Sequence, residues 1–385
     1  MGVEIMTDEE KAKKFEKLTN KINKKFQNGS KAGVPIVKSL TPDELELSFI
    51  PTNAEALNEA LGGGFPRSCI ITLHGDAGAG KTSLALSVAQ EVQEQGGRVL
   101  FINTEGTFGV AAKATGLDVS KLNYVEPQDY AEQLIDVIDG YAFDEEERTP
   151  TGIIDCIILD SINALIPKQD VDKLDKDGAE GMNMATKARV LNDLLGRFKG
   201  RNYLKHGGML ILIAQDRANI SGNSRVTSIM SGGKAIRYYS DVIVKLSKAP
   251  LYRVEKSKNV EYGHTVSFAV EKNKGTGFQK KGEYTVIQGA GIDDSDKLVL
   301  DAQEWGYLVK DKKDFILILP DGDVKLEGGI AKVRERMKTD SLLKDEFKKV
   351  WRQGKPKIAP STTGMFHPAF TVVVVDDLDE EIDNE

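Results

Sequence analysis

The residues best placed to do chemistry lie in the run Gly75-Asp76-Ala77-Gly78-Ala79-Gly80-Lys81-Thr82, followed by Ser83. A Gly-x4-Gly-Lys-Thr turn between an apolar run (Cys69–His74) and a helix-like stretch (Ser83–Gln90) is a phosphate cradle. Its glycines let backbone N–H groups converge on one anion, and the helix N-terminus adds a favourable dipole. Lys81 is then expected to pair with the β- and γ-phosphates, and Thr82 to offer its hydroxyl to Mg²⁺. A chance glycine-rich turn would rarely carry strand, motif and helix in this order. The chain is read as binding a nucleoside triphosphate through Gly75–Ser83.

Three more polar side chains end apolar, strand-like runs. Asp160 closes Ile157-Ile158-Leu159-Asp160, where a carboxylate beside a phosphate loop holds Mg²⁺, usually through water. Taken alone, such an Asp is more often a strand end capped by a turn residue. Glu105 follows Val99–Asn103 and can polarise the water that attacks a γ-phosphate; a solvated turn acid is the alternative, and position alone does not separate them. Gln215 ends Met209–Gln215, where its amide can sense a γ-phosphate and pass that state onward.

Two polar stretches follow these runs. Arg217–Gly233 contains glycines and is too long for an ordinary connection, which marks a functional loop. In it Arg217 and Arg225 can neutralise phosphates, while Ile220, Ile229 and Met230 can wedge between bases. Pro167–Thr186, after Asp160, carries Gly178, Gly181, Met182 and Met184. Neither stretch interleaves the aromatics of a base-stacking platform, so the residues alone leave single-strand binding open.

The elements that must position these groups read as α/β. Short apolar runs at Cys69–Leu73, Val99–Asn103, Asp155–Asp160, Met209–Gln215 and Asp241–Leu246 alternate with helical patterns at Thr82–Gln95, Tyr130–Gly140 and Ala185–Tyr203. That alternation predicts a mostly parallel sheet covered on both faces. Strands are also expected at Val266–Glu271 and Gly282–Ile287. Before the core, Glu9–Gln27 places Phe15, Leu18, Ile22 and Phe26 on one stripe of a lysine-rich amphipathic helix. That helix docks either on its own core or on a neighbouring subunit. The division expected is an arm over 1–36, an ATPase core over 37–289, a small α/β domain over 290–352, and a linker with an acidic tail over 353–385.

The net charge of −7 is carried entirely by the last ten residues, Asp376–Glu385, so acidity does not exclude nucleic acid as a partner. No apolar stretch approaches the roughly 20 residues of a membrane span, and the start lacks a signal-peptide core. A reducing cytoplasm is therefore expected, with Cys69 and Cys156 as small buried side chains. Phe370–Val375 is an apolar island that reads as an edge strand or a partner contact.

The order of parts resembles the RecA recombinase family in its bacterial and phage form, from about Lys13 to Trp351. INKKFQNGS (Ile22–Ser30) resembles the end of that family's polymerisation helix, and GDAGAGKTS its phosphate loop. VLFINTEGTF resembles the strand with the catalytic glutamate, here Glu105, and IILDSINALIPK the Mg²⁺ strand leading into the first DNA loop. LILIAQDR resembles the strand whose glutamine couples nucleotide state to the second DNA loop, and SGGKAIRYYSDV the exit from that loop. VEKNKG resembles the lysine pair that reaches a neighbour's γ-phosphate, here Lys272 and Lys274; without the family these read as a solvated strand end. The family's aromatic over adenine falls at Ala112, a departure for which Phe108 is one substitute.

The resemblance implies a RecA-like P-loop NTPase core with an N-terminal helical arm and a small C-terminal α/β domain. It implies a DNA-dependent ATPase that uses ATP and Mg²⁺, forms helical homo-filaments on single-stranded DNA, pairs homologous duplex and exchanges strands for recombinational repair. Lys81, Glu105, Gln215, Lys272 and Lys274 are then the catalytic set, and Thr82 and Asp160 the metal set. The DNA-contacting set is Met182, Lys187, Arg189, Arg217, Ile220, Arg225, Ile229, Met230, Gly232 and Gly233. Single-strand-binding and mediator proteins are implied accessory partners, in a bacterial or phage-infected cytoplasm. A hexameric helicase of the same core and a scaffold ATPase without DNA activity are the competing readings, and the acidic tail is expected to act as a brake on duplex capture.

Overall fold

The structure is a computed structural model that describes residues 7–27, 47–105, 108–109, 112, 115–126, 130–146, 149–177, 184–200, 203–204, 207–218, 228–255 and 258–353. Two compact units divide the chain, Met1–Leu298 and Val299–Glu385.

In the first unit, the apolar runs form a parallel sheet core. Its strands are β1 (Ile70–Gly75), β2 (Val99–Asn103), β3 (Leu122–Val125), β4 (Cys156–Asp160), β5 (Met209–Ala218) and β7 (Val242–Glu255). A short strand β6 (Ser228–Met230) pairs back on β5. The spatial order β7-β1-β5-β4-β2-β3 is parallel throughout. Beyond β7 the sheet continues antiparallel through β8 (Lys258–Asn273), β9 (Lys281–Ile287) and β10 (Gly291–Asp293). Side chains alternate across each strand, so Ile71 and Leu73 face one hydrophobic cluster while Ile70 faces the other. Both faces are filled: α3 (Lys81–Glu94) packs Leu84, Ala85 and Val88 on one, and α4 (Ala131–Ala142) with α6 (Met184–Gly200) packs Leu134, Ile138, Leu191 and Leu195 on the other. Each such fully buried aliphatic side chain contributes about 1.5–3 kcal/mol.

Two differences from the sequence expectation have physical causes. The strands expected at Asp241–Leu246 and Val266–Glu271 are the inner ends of a long antiparallel hairpin, β7 with β8. Its outer part is polar and solvent-facing, so no apolar run announces it, and cross-strand backbone bonds sustain it instead. The stretch Pro167–Thr186 is also partly helical: α5 (Lys168–Asp177) follows Pro167, and α6 already begins at Met184.

At the start, α1 (Asp8–Gln27) opens with a capping box in which Thr7 and Glu10 exchange bonds of 2.9 and 3.3 Å, and it closes with Lys24 and Lys25 against the dipole. Among the described residues its stripe is uncovered: Phe15, Leu18 and Ile22 are 68%, 49% and 40% exposed. A short helix α2 (Glu55–Leu61) and helix α7 (Gly233–Tyr239) complete the unit, with α8 (Ser295–Glu304) crossing its boundary.

The second unit sets an antiparallel sheet, β11 (Leu308–Asp311), β12 (Asp314–Leu317) and β13 (Val324–Leu326), with α9 (Ile330–Thr339) and α10 (Ser341–Gln353). Leu317, Leu326, Val333, Met337, Phe347 and Val350 form its core. The Trp351 indole N–H donates to Asp301 Oδ2 at 2.8 Å, which ties the last helix to the first turns of the unit. The segment 28–46, the island Phe370–Val375 and the acidic tail lie outside the described residues.

Candidate functional site

Parallel strands put their carboxyl ends along one edge, and the sequence-predicted polar groups gather there. Gly75 pairs in register with Gln215, and Asn103 with Asp160. At Gly75 φ is 144°, and a Cβ would lie 1.9 Å from the Leu246 carbonyl oxygen, so only glycine lets β1 pass β7 and turn into the loop. Gly80 is the left-handed N-cap of α3, whose first residues are Lys81, Thr82 and Ser83. The loop Asp76–Ala79 therefore lies between a strand end and a helix N-terminus, the geometry that gathers N–H donors around an anion.

Lys81 Nζ donates to the carbonyls of Gly75 at 3.0 Å and Asp76 at 2.7 Å, folded along the rim of the loop. Burial pushes its pKa down, opposed by the charges of Asp160, Glu105, Asp216 and Asp76. The Thr82 hydroxyl donates to Asp160 Oδ2 at 2.6 Å. Burial raises the Asp160 carboxyl from 3.8 to about 6, with the Glu105 charge adding to it and the Thr82 bond and Lys81 opposing it. A hydroxyl and a buried carboxylate side by side are hard oxygen donors, and a cation there would relieve the cost of burying the charge. Among the described residues no group of three or more His, Cys, Asp or Glu could hold a metal. The Thr82 hydroxyl and the Asp160 carboxylate are donors that fit Mg²⁺, a cation that usually binds one or two carboxylates together with waters and phosphate oxygens.

Glu105 is fixed from two strands. Its Oε1 accepts a bond from Gln215 Nε2 at 2.9 Å and another from the Ser161 hydroxyl. The turn that presents it is pinned because Thr104 exchanges bonds of 2.7 and 2.8 Å with the backbone of Ser161. Phe108 packs its ring 4.8 Å from Phe101 and 5.2 Å from Tyr124, and Ala112 is buried. Phe108 therefore serves an aromatic cluster of the core.

Lys272 and Lys274 stand elsewhere. Lys272 Nζ donates to the Arg237 carbonyl at 2.5 Å, at the end of α7, and Lys274 Nζ lies 3.5 Å from Asp241 Oδ1. Lys272 pairs with Ile243, which pairs with Thr72 of β1. That places it two strands, about 10 Å, across the sheet and three residues, about 10 Å, down from Gly75. A protomer's lysine pair is out of reach of its own phosphate loop.

Of the expected DNA-contacting residues, Lys187 Nζ donates to the Asn163 carbonyl, and its pKa is pushed down to about 8 by burial and the Arg217 charge. Arg189 and Arg217 are exposed. Met230 is in the core at 5% exposure, so its side chain is engaged in packing rather than presented as a wedge. Gly232 is the N-cap of α7, and Gly233 its first residue. Met182, Ile220, Arg225 and the side chain of Ile229 lie outside the described residues.

The sequence reading missed three participants. Asn163 sits between Glu105's support and Gln215. His74 Nδ1 bonds Asp216 Oδ1 at 2.8 Å, with its Nε2 3.4 Å from Glu271, beside the loop. Lys248 reaches from β7 so that its ammonium would lie 2.8 Å from a Cβ at Gly78. An isolated Asn, His or Lys in a strand or turn carries no motif, and only the polar residues interrupting apolar runs could have flagged them.

A parallel sheet with this loop, this hydroxyl–carboxylate pair and this anchored glutamate defines a P-loop NTPase core. The family model for the RecA N-terminal domain matches residues 13–293. Protein RecA of Fusobacterium nucleatum is 34% identical over 259 residues, 67% of this chain and 64% of that protein. Protein RecA of Aquifex aeolicus is 31% identical over 343 residues, covering 88% of this chain and 91% of the relative. Protein RecA of Gloeobacter violaceus is 30% identical over 287 residues, 74% and 71% of the two chains. The chain belongs to the RecA recombinase family.

Proposed function

We propose that the protein is an ATP-dependent homologous recombinase that polymerises on single-stranded DNA, pairs it with homologous duplex and promotes strand exchange for recombinational repair. The observation that supports this reading is the distance across one sheet between the phosphate loop and the lysine pair that the family resemblance assigns to the same phosphate chemistry. The loop and Glu105 lie at the carboxyl edge, while Lys272 and Lys274 lie out of their reach. A second copy can bring such lysines to the loop, and repetition of that head-to-tail contact generates a filament where its rotation does not close and a ring where it does.

In this reading Gly75–Ser83 binds the triphosphate, with Lys81 turning from the loop carbonyls to the β- and γ-phosphates. Thr82 and Asp160 hold Mg²⁺, which supplies charge neutralisation on the phosphate oxygens. Glu105, held through Oε1 by Ser161 and Gln215, uses Oε2 to order the attacking water. The partner's copy of the lysine pair neutralises charge on the transferred phosphoryl group, as arginine fingers do elsewhere. Lys187, Arg189 and Arg217, joined by Arg225, contact DNA phosphates, and Ile220 and Ile229 space the bases. Base pairing supplies the sequence information, because phosphate contacts carry none. Single-strand-binding and mediator proteins act as accessory partners. We assign the protein to the cytoplasm of a bacterial cell or phage-infected host, where its DNA is.

Electron microscopy with single-stranded DNA and a slowly hydrolysed ATP analogue tests the reading. Helical filaments are expected. Closed rings would favour a helicase of the same core, and absence of any DNA-bound assembly would favour a scaffold ATPase.

A further inference from the structure

Asn163 lies on the turn after β4, three residues beyond Asp160, and its polar groups reach three other parts of the molecule as well as Ser161 of its own turn. Its side-chain Oδ1 accepts the backbone N–H of Gln215 at 2.8 Å. Its Nδ2 donates to the Ser231 hydroxyl at 2.9 Å. Its backbone N–H donates to Ser161 Oγ at 3.3 Å, the same hydroxyl that donates to Glu105. Its carbonyl accepts from Lys187 Nζ.

These partners have different tasks. Ser161 and Gln215 are the two groups that hold Glu105 Oε1. Ser231 stands where β6 returns from the segment Arg217–Gly233, and its N–H donates to the Gln215 carbonyl at 3.3 Å. Lys187 stands in the first turns of α6, just after the other candidate DNA segment, and it feels the Arg217 charge. A side-chain amide is suited to join Gln215 to Ser231, because it offers an acceptor and a donor in one rigid plane, while the backbone of the same residue meets Ser161 and Lys187. A movement of Gln215 toward or away from Glu105 shifts the backbone to which Asn163 Oδ1 is bonded. The Nδ2 and carbonyl bonds then carry that shift to Ser231 and Lys187 together. A hydrogen-bond network with buried members has few alternative arrangements, so it transmits displacement instead of absorbing it.

We propose that Asn163 is a positioning residue that couples the nucleotide state sensed at Glu105 and Gln215 to both DNA-contacting segments at once. The proposal rests on the recombinase reading above and adds the residue through which its two halves communicate. Asn163 touches neither nucleotide nor DNA in this role. Its loss leaves each site intact and removes the side-chain link between them, while the direct bond from the Ser231 N–H to the Gln215 carbonyl remains.

The test compares Asn163→Ala and Ser231→Ala with the full-length wild type. Three quantities are measured: affinity for a fluorescent ATP analogue, ATP hydrolysis with and without poly(dT), and poly(dT) affinity in ATPγS against ADP. For Asn163→Ala, nucleotide affinity and DNA-free hydrolysis stay within about threefold of wild type, while DNA stimulation falls about tenfold. The ratio of DNA affinities in ATPγS and ADP falls toward one. Ser231→Ala, which removes one acceptor only, moves the same ratio by a smaller factor, and the double variant is no worse than Asn163→Ala. A merely structural role would lower thermal stability and all activities in parallel without changing that ratio. An unchanged ratio in either variant, or additive losses in the double variant, overturns the proposal. A wild type whose hydrolysis ignores poly(dT) overturns the recombinase reading itself, a result distinguishable because it needs no variant.

Discussion

Asp160 shows how burial sets the charge of the phosphate site. Its carboxyl has an ordinary pKa of 3.8 and is raised to about 6 in the fold. The folded state therefore holds its proton more tightly, and stability from this group is lost as pH rises from about 4 through 6. Asp160→Asn keeps an acceptor for Thr82 and removes the charge. In nucleotide-free protein it should raise stability at pH 8 by about 2–3 kcal/mol, and by little at pH 4, in denaturant titrations. Glu105→Gln should reduce hydrolysis by about 10²-fold or more while preserving ATP-dependent filaments in micrographs. Lys187 titrates in the opposite sense. Its pKa near 8 means that its charge is present at pH 7 and fades as pH rises toward 9. Affinity for single-stranded DNA should weaken over that range, and Lys187→Arg should hold it nearly level in fluorescence anisotropy.

Among the elements, α1 is the clearest case of a surface that the described residues do not cover. A single charge placed on its stripe should leave the fold nearly untouched and remove assembly. Leu18→Glu is expected to change unfolding free energy by less than about 0.5 kcal/mol, yet to abolish ATP-dependent sedimentation with DNA. The parallel core is legible in the sequence because strands buried on both faces must be continuously apolar, and their polar terminal residues stand out at the carboxyl ends. Gly75–Thr82, Glu105, Asp160 and Gln215 are all found this way. The joins between them are not legible. Ser161 and Gln215 meet Glu105 because β5, β4 and β2 are neighbours in the sheet, an order the chain does not spell out. The outer half of the β7–β8 hairpin is hidden for a different reason, since backbone pairing requires no apolar signature. His74 and Asp216 are invisible as a pair because 142 residues separate them and only the register of β1 with β5 unites them.

For the whole molecule, the proposed action of the lysine pair on a neighbour's triphosphate makes hydrolysis a property of adjacent copies. Lys81→Ala and Lys272→Ala proteins should each be nearly inactive alone. Mixed in equal amounts they should recover hydrolysis, because about a quarter of random contacts join an intact loop to an intact lysine pair. Failure to recover any activity, measured as phosphate release with DNA, would place both residues in one protomer's site.

If the lysine pair acts on a neighbour's triphosphate as proposed, a finite row of copies has unlike extremities. At one end the last molecule offers lysines to nothing, and at the other the last molecule keeps a triphosphate that no neighbour helps to break. One triphosphate per row is then spared, and it lies at a single terminus. The row carries an arrow without any further component to draw it.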